Sequence, residues 1–324
     1  MENILSLAAD NLISPLILSF VLGLFAALVR SDLTFPEAAA KAMSIYLLFA
    51  IGFKGGVSVS AHGIDLSLGT SLVAGLFLSA VLPFVAFALL KILTNLDRLN
   101  AAAVAGHYGS ISIVTFVAGT SILESQGITS EGYMVAVAAA MEAPAILSAL
   151  WLISAGGQSR MDSHLWREIL LNGSIVLLVG AFAIGMITGE EGLAEISSFI
   201  VNPFKGVLCL FLLDMGLVAG RSIRSSRGTL TAGVFIFGLT MPFIGAAVGA
   251  VVAVLIGLST GGVFLLMVLS ASASYIAVPA AMRVAVPEAD PGIYLTLSLG
   301  VTFPLNLAIG LPVYLSVATL ITGG

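Results

Sequence analysis

The chain has 324 residues, of which 59% are hydrophobic and only 9% are charged, and its mean hydropathy is +1.14. This composition excludes an ordinary water-soluble domain and indicates a helical protein that crosses a membrane many times. The net charge of −5 and the lack of a basic arm give no support for nucleic-acid binding. We expect no signal peptide, because Met1–Asp10 lacks a basic start. The single cysteine, Cys209, has no partner for an intramolecular disulfide.

Hydropathy, taken in chain order, predicts ten membrane-spanning segments joined by short and mostly polar connections. The predicted segments are residues 11–29, 43–61, 68–91, 99–122, 132–155, 168–188, 198–221, 229–257, 262–286 and 292–320. The longest break in hydrophobicity, Gly156–Arg167, separates the fifth segment from the sixth. We therefore expect a first five-helix unit at residues 1–157, a short cytoplasmic linker at 158–167 and a second five-helix unit at 168–324.

The two halves of the chain resemble each other. Leu48–Gly56 aligns with Leu212–Gly220, and Gly106–Ser110 aligns with Ser270–Ser274, both with an offset of 164 residues. Because each half has an odd number of predicted spans, the second half must be inverted in the membrane relative to the first. The predicted fold is therefore an all-α polytopic membrane protein built from two inverted five-helix repeats, which is a transporter architecture.

Basic residues are unevenly distributed over the predicted connections. Those on one side are Arg30, Lys41, Lys91, Arg98, Arg160, Arg167, Arg221, Arg224, Arg227 and Arg283. The connections on the other side contain none, and Lys54 and Lys205 fall within or at the edge of spans. Since basic residues are enriched in cytoplasmic loops, we expect both termini on the non-cytoplasmic side of the plasma (cell inner) membrane. Arg221, Arg224 and Arg227 are expected to anchor the seventh span at the cytoplasmic face.

The fourth and ninth spans each contain a run of small and hydroxyl-bearing residues, Gly106–Thr115 and Ser270–Ala281. Pro279 withholds an N–H group and leaves the carbonyl of residue 275 without a helical partner. Non-helical backbone at bilayer depth is tolerated only where it is buried in protein or lines a cavity. We expect both helices to break and cross here, with their second halves starting near Gly109–Ser112 and Ser272–Ser274.

A helix N-terminus presents free N–H groups and a partial positive charge, so two such ends facing each other suit a small anion. The candidate substrate-binding residues are Gly106, Gly109, Ser110, Ser112, Ser270, Ser272, Ala273 and Ser274. The alternative is that these small residues only allow close helix packing. His107 and Tyr108 adjoin the first break, where a packing role is expected for the histidine rather than proton transfer.

Two acidic residues, Glu142 and Asp214, fall deep in apolar spans. A charge there costs roughly 2.5–3.5 kcal/mol even on insertion scales, so an acid at this depth indicates a function. The repeat counterpart of the Glu142 segment is Thr302–Asn306, and oxygen atoms of these types suit a sodium ion. The candidate sodium ligands are Glu142, Thr302, Asn306 and Asp214. Asp214 has an alternative role as an ion-pair partner of Lys54.

Three segments of the second half carry a family resemblance. They are Ser270–Ala281, Pro287–Pro291 and Tyr294–Asn306. Through them, and through the ten-span plan along nearly the whole chain, the protein resembles the cyanobacterial-type sodium-dependent bicarbonate transporter family. The resemblance implies sodium-coupled bicarbonate uptake, with Na⁺ as coupling ion, a core and a gate domain in each protomer of a homotrimer, and regulation by a PII-like protein. It implies a transporter rather than an enzyme, and no P-loop or catalytic motif is present.

The chain departs from the family pattern at two places. The first-half pattern is Gly-x-x-Gly-x-x-Ser-Gly-Ser, but Ile113 and Val114 occupy its last two positions. The linker Gly156–Arg167 is also shorter than the cytoplasmic insert of the better-known members.

Two other functions stay open at this point. One is a sodium- or proton-coupled symporter for a small organic anion, which shares the inverted-repeat plan. The other is a channel-like membrane protein without a coupling ion. The intramembrane acid Glu142 argues against the channel, because such residues mark ion pathways and coupling sites.

Overall fold

The computed structural model describes residues 13–63, 66–154, 173–225, 231–276, 278–279, 281–282 and 286–323, and every regular element in these ranges is helical. The helices are α1 (Pro15–Leu28), α2 (Glu37–His62), α3 (Leu66–Leu93), α4 (Arg98–Gly109), α5 (Ile113–Gln126), α6 (Met134–Ala140), α7 (Glu142–Ser154), α8 (Gly173–Ile200), α9 (Phe204–Ser225), α10 (Ala232–Leu255), α11 (Thr260–Ala271) and α12 (Pro291–Thr322). Within α12, two π-helical segments, Thr296–Thr302 and Asn306–Gly310, interrupt the α-helix.

Eight helical stretches of the described chain are long and apolar enough to cross a membrane. They are Glu37–Ala61, Leu66–Leu93, Arg98–Gln126, Met134–Ser154, Val176–Ile200, Phe204–Arg224, Ala232–Leu255 and Pro291–Thr322. The first and ninth predicted spans correspond to α1, with 14 residues, and α11, with 12 residues. At 1.5 Å per residue these helices are about 21 and 18 Å long. The prediction of an all-helical, multi-span membrane protein is confirmed, while the count of ten spans stays a prediction.

The sixth span ends later than predicted, and the seventh span, α9, therefore starts later than predicted, at Phe204 instead of residue 198. Hydropathy predicts an end at residue 188, whereas α8 bends at Gly189 and continues to Ile200. Gly189 has φ 60° and ψ −153°, a conformation that is readily available only to glycine. Glu190 and Glu191 follow the bend and lower the hydropathy, which explains the early predicted end. The predicted linker, residues 158–167, lies outside the described residues.

Helix starts follow ordinary capping chemistry. Among the helices that the structure describes, side-chain oxygens at six N-caps accept a backbone N–H from the first turn. These caps are Ser14, Asp97, Ser112, Thr231, Ser259 and Asp290. Such caps satisfy donors that have no intrahelical partner. At the other end of α5, Gly127 closes the helix in the left-handed conformation, with φ 66°.

Helices α1, α2, α8 and α9 form the first of two groups. In it α2 packs along α8 and α1 packs along α9. Both contacts bring backbones together at glycines: a side chain at Gly56 would collide with the carbonyl of Phe182, and one at Gly216 with the carbonyl of Phe20. Small residues allow this close approach of helices within a membrane.

The second group consists of α3–α7 and α10–α12. Helix α3 packs on α4 and α7, while α10 packs on α11 and α12, and the two sets meet where α3 touches α10. The broken segments lie at the centre of this group, because residues Ala101–Gly109, Ile113–Gly119 and Gly261–Ala271 are all buried. The fold thus keeps both breaks away from lipid, as non-helical backbone at membrane depth requires.

Several basic side chains fasten helix ends at one end of the molecule, called here the basic end. Arg98 donates to the carbonyl of Leu152 in α7 at 2.9 Å. Arg221 and Arg224 donate to backbone carbonyls at and just after the end of α1, at 3.1 and 2.9 Å. The positive charges of Arg98 and Arg224 suit the carbonyls in the last turns of α7 and α1, which carry the negative end of the helix dipole. Arg221 instead contacts the loop after α1, at Leu33. Arg227 lies outside the described residues.

Candidate functional site

The first break separates α4, which ends at Gly109, from α5, which begins at Ile113. Ser110 and Ser112 have extended backbone. The Ser112 hydroxyl oxygen accepts the backbone N–H of Thr115 at 3.3 Å and the Thr115 hydroxyl at 2.9 Å. Ser112 is therefore the N-cap of the second half-helix, close to the predicted start.

The second break is longer than predicted. Helix α11 ends at Ala271, residues 272–276 are not helical, and Val278 and Pro279 are helical. The predicted start near Ser272–Ser274 is therefore early by about one turn. The Ser274 hydroxyl accepts the N–H of Val278 at 3.5 Å, beside the start of this second half-helix. Pro279 then lies in the first turn, where its missing N–H costs nothing, so it begins the second half-helix instead of breaking the first.

The two breaks are joined by direct hydrogen bonds. The backbone N–H of Ser112 donates to the Ser272 hydroxyl at 2.9 Å, and the N–H of Ser274 donates to the His107 carbonyl at 2.7 Å. The Ser272 hydroxyl itself donates to the carbonyl of Leu269 at 2.9 Å. All three serines are buried. A side-chain hydroxyl of the second break and a backbone carbonyl at the first thus each accept an N–H from the other break, and the crossing is held without a charged side chain.

A cavity of about 10 Å³ lies at this crossing. It is lined by Ile111, Ser112, Ile113, Glu142, Ser274, Tyr275 and Ile276. Such a volume has room for about one water-sized species. The structure therefore brings Ser112, Ser274 and Glu142 together, although Glu142 belongs to a different helix. Ser110 and Ala273 are buried elsewhere in the breaks.

Glu142 is 5% exposed, and its Oε2 atom has no hydrogen-bond partner among the described residues. It follows a kink between α6 and α7, where the Ser79 hydroxyl accepts the N–H of Ala145 at 3.1 Å and donates to the carbonyl of Met141. Ser79 thereby replaces the helical bond between these two backbone groups. A buried carboxylate without a partner is costly, and a bound cation or proton relieves that cost.

Three of the predicted substrate residues face neighbouring helices instead of the cavity. A side chain at Gly109 would collide with α3, and one at Gly106 would collide with Ala149 of α7. The Ser270 hydroxyl lies against Gly249 of α10 and has no partner among the described residues. Close packing thus accounts for these three positions, while Ser112, Ser272 and Ser274 form the crossing.

Thr302 and Asn306 lie in the π segments of α12 and are both buried. The Thr302 hydroxyl donates to a carbonyl of α10 at 2.9 Å and lies 2.7 Å from the Tyr108 hydroxyl. Asn306 donates to the carbonyl of Ala271 and accepts from Tyr314, at 2.9 and 2.8 Å. These bonds fasten α12 to both broken helices. Neither residue is among those that line the cavity at Glu142.

Asp214 is buried on α9, in the first helix group. The alternative that it pairs with Lys54 is wrong, because the Lys54 ammonium lies 2.6 Å from the Glu124 carboxylate. Lys54 is level with the start of α9, since its ammonium lies 5.5 Å from the ring centre of Phe204. Asp214 is ten residues further along the helix, or about 15 Å away.

His107 is fully buried, and its ring stacks on Tyr294 with the ring centres 4.4 Å apart. Its Nδ1 lies 2.7 Å from the carbonyl of Ala103. These contacts show the packing that was expected of this histidine. Two further polar residues were not predicted: Ser79, which bridges the kink before Glu142, and Thr115, which bonds to Ser112 at the start of α5. The sequence feature that could have identified Ser79 is its position four residues before Pro83, in an otherwise apolar span.

A family model, the Na⁺-dependent bicarbonate transporter superfamily, matches residues 15–319. The chain belongs to this superfamily. The match includes both breaks, Glu142 and nearly all of the described helices, and it confirms the sequence resemblance. No curated protein matches the chain. Membership in the superfamily assigns the chain to membrane transporters rather than enzymes, in agreement with its multi-span architecture.

Proposed function

We propose that the protein is a secondary transporter that couples bicarbonate uptake across the plasma membrane to sodium entry. The observation that carries the proposal is Glu142, a buried carboxyl group with an unpartnered oxygen at the crossing of two broken helices. Superfamily membership supports sodium as the coupling ion and bicarbonate as the substrate. Discontinuous helices at mid-membrane are where secondary transporters hold substrates and ions.

We place the sodium ion at Glu142. The cavity beside this residue has room for one small species but is too small for a bicarbonate ion. Ser112 and Ser274 line the same cavity, and serine hydroxyl oxygens are suitable ligands for a hard cation. Of the other candidates, Thr302 and Asn306 support the site by holding α12 against the broken helices. Asp214, the second acidic candidate, lies on α9 in the first helix group and does not line this cavity, so we do not propose it as a sodium ligand.

The bicarbonate ion is proposed to bind at the N-terminus of α5. Ser112 caps the N–H of Thr115, so the N–H groups of Ile113 and Val114 are left to face an anion. The helix dipole adds a partial positive charge there. The branched side chains of Ile113 and Val114 narrow the approach compared with the glycine and serine of the family pattern. A larger cavity must open for the anion, which is part of the proposed alternating access.

The inverted repeat, with units at residues 1–157 and 168–324, is supported by matching contacts in the two halves. The glycines of α2 that contact α8 include Gly56, and those of α9 that contact α1 include Gly220, at the sequence offset of 164. In the second group, Gly75 approaches Val137 and Met141, while Gly238 approaches Leu297 and Val301. The two helix groups are the proposed moving parts.

The proposed orientation puts the basic end in the cytoplasm and both termini outside, in keeping with the enrichment of basic residues in cytoplasmic loops. Cysteines introduced at Asn95 and Gln126, in a background without Cys209, test this orientation. Asn95 is then labelled by an impermeant reagent only from inside and Gln126 only from outside, and the reverse pattern contradicts it. The homotrimer and the PII-like partner are carried over from the family resemblance alone.

Uptake of labelled bicarbonate into proteoliposomes tests the function. An inward sodium gradient is expected to drive accumulation, and an equal choline gradient is not. Accumulation driven by a proton gradient, or a small organic anion that is taken up while bicarbonate is not, favours the alternative symporter. Uptake that is independent of both gradients contradicts the proposal.

A further inference from the structure

An ion pair connects the two helix groups at the end opposite the basic end. Lys54 lies on α2 of the first group, and Glu124 lies in the last turn of α5 in the second. The ammonium and carboxylate are 2.6 Å apart, with the side chains 32% and 46% exposed. Among the described residues, no other salt bridge is found. Because Glu124 lies in the last turn of α5, the second half-helix of the first break, the pair links that half-helix to α2.

Open space lies on both sides of the outer end of α5. A cavity of about 440 Å³, lined by Lys54, Glu124 and Phe204 among others, separates it from α2 and the start of α9. A second cavity, of about 270 Å³, lies on its other side and is lined by Ser125 and Cys209. The ion pair therefore bridges a cleft that side chains do not fill.

We propose that the Lys54–Glu124 pair is a latch that limits how far the outer cleft, the space between α5 and helices α2 and α9, can open. The inference rests on the proposed alternating access, in which the broken helices move relative to α2. A pair with this exposure is weak, so it opens readily when α5 moves. The ring of Phe204 keeps a favourable contact with the Lys54 ammonium after Glu124 has left, which eases re-formation of the pair.

The only cysteine in the chain serves as the reporter of this cleft. Cys209 is half-buried and lines the second cavity beside the end of α5. The rate at which a maleimide labels Cys209 in the purified protein should therefore rise when the cleft opens. The variants are Lys54→Glu, Glu124→Lys and the double exchange of both charges. Glu195→Lys, a change at an exposed acid of α8, is the control.

Each single variant is expected to be labelled roughly two- to fivefold faster than the wild type, the range that corresponds to loss of an exposed ion pair. The double exchange should return the rate to the wild-type value, and Glu195→Lys should not change it. The two single variants change the charge near the Cys209 thiol in opposite directions, so an effect of charge on the reactivity of the thiol would accelerate labelling in one variant and slow it in the other. Faster labelling in both variants therefore indicates that the cleft has opened.

Unchanged labelling in the single variants overturns the latch, and so does acceleration that the double exchange fails to reverse. Size-exclusion chromatography of each variant verifies folding. Labelling does not depend on transport, so a failed latch leaves the proposed function intact. Absence of sodium-driven bicarbonate uptake by the wild type contradicts the proposed function instead.

Discussion

Removal of the Ser272 hydroxyl should destabilise the crossing of the broken helices. In Ser272→Ala the backbone N–H of Ser112 loses its acceptor and stays buried. The carbonyl of Leu269 keeps the backbone N–H of residue 272 as a donor, at 3.4 Å. The cost is therefore that of one buried donor left without a partner, about 1–3 kcal/mol. The measurement is the free energy of unfolding, obtained by titrating SDS into the protein in detergent micelles.

Ser270→Ala is the matched control. Ser270 is equally buried and lies two residues away, but its hydroxyl has no partner among the described residues. Its removal should change the free energy of unfolding by less than about 0.5 kcal/mol, because no hydrogen bond is lost. Equal losses in Ser270→Ala and Ser272→Ala would refute the hydrogen-bonded crossing and indicate that both serines only fill space.

Two further predictions concern α3 and the loop that follows it. Ser79→Ala should lower the free energy of unfolding by about 1–3 kcal/mol, because the Met141 carbonyl and the N–H of Ala145 lose their bridge. Ser71→Ala, which removes a buried hydroxyl without a partner in the described chain, should have little effect, and similar losses would contradict the bridge. The backbone N–H of Asn100 lowers the pKa of the Asp97 carboxyl, so its stabilising effect is present above the ordinary pKa and is lost as the pH falls through the lowered value. Between pH 5 and pH 2 the thermal midpoint of the wild type should therefore fall further than that of Asp97→Asn, and equal falls would contradict this assignment.

The first break could be predicted from the sequence because its causes are local. Small residues precede Ser112, and a serine is a strong N-cap, so the helix starts at Ile113 close to the predicted position. The second break falls within the predicted segment, but the start of its second half-helix is predicted about one turn too early, because two local signals compete there. Pro279 is compatible either with a helix interior that breaks or with a first turn, and only the hydrogen bond from the N–H of Val278 to Ser274 distinguishes them.

The division of the small residues into packing and crossing positions could not be predicted. Gly109 and Ser110 are neighbours in the sequence, yet Gly109 is pressed against α3 while Ser110 lies in the break. Which residue faces a neighbouring helix depends on where that helix lies, and hydropathy does not report it. The partner of Lys54 illustrates the same limit, since Glu124 is 70 residues away in the sequence.

The central claim, that Glu142 carries the sodium coupling, is tested most directly by comparing two neutralised acids. Glu142→Gln and Asp214→Asn each remove one intramembrane carboxylate while they keep its size and some of its hydrogen bonding. The measurement is bicarbonate uptake into proteoliposomes as a function of external sodium concentration. Glu142→Gln is expected to lose sodium-dependent uptake, while Asp214→Asn is expected to keep it. If uptake by Glu142→Gln depends on sodium concentration in the same way as uptake by the wild type, the claim is contradicted and the coupling ion binds elsewhere.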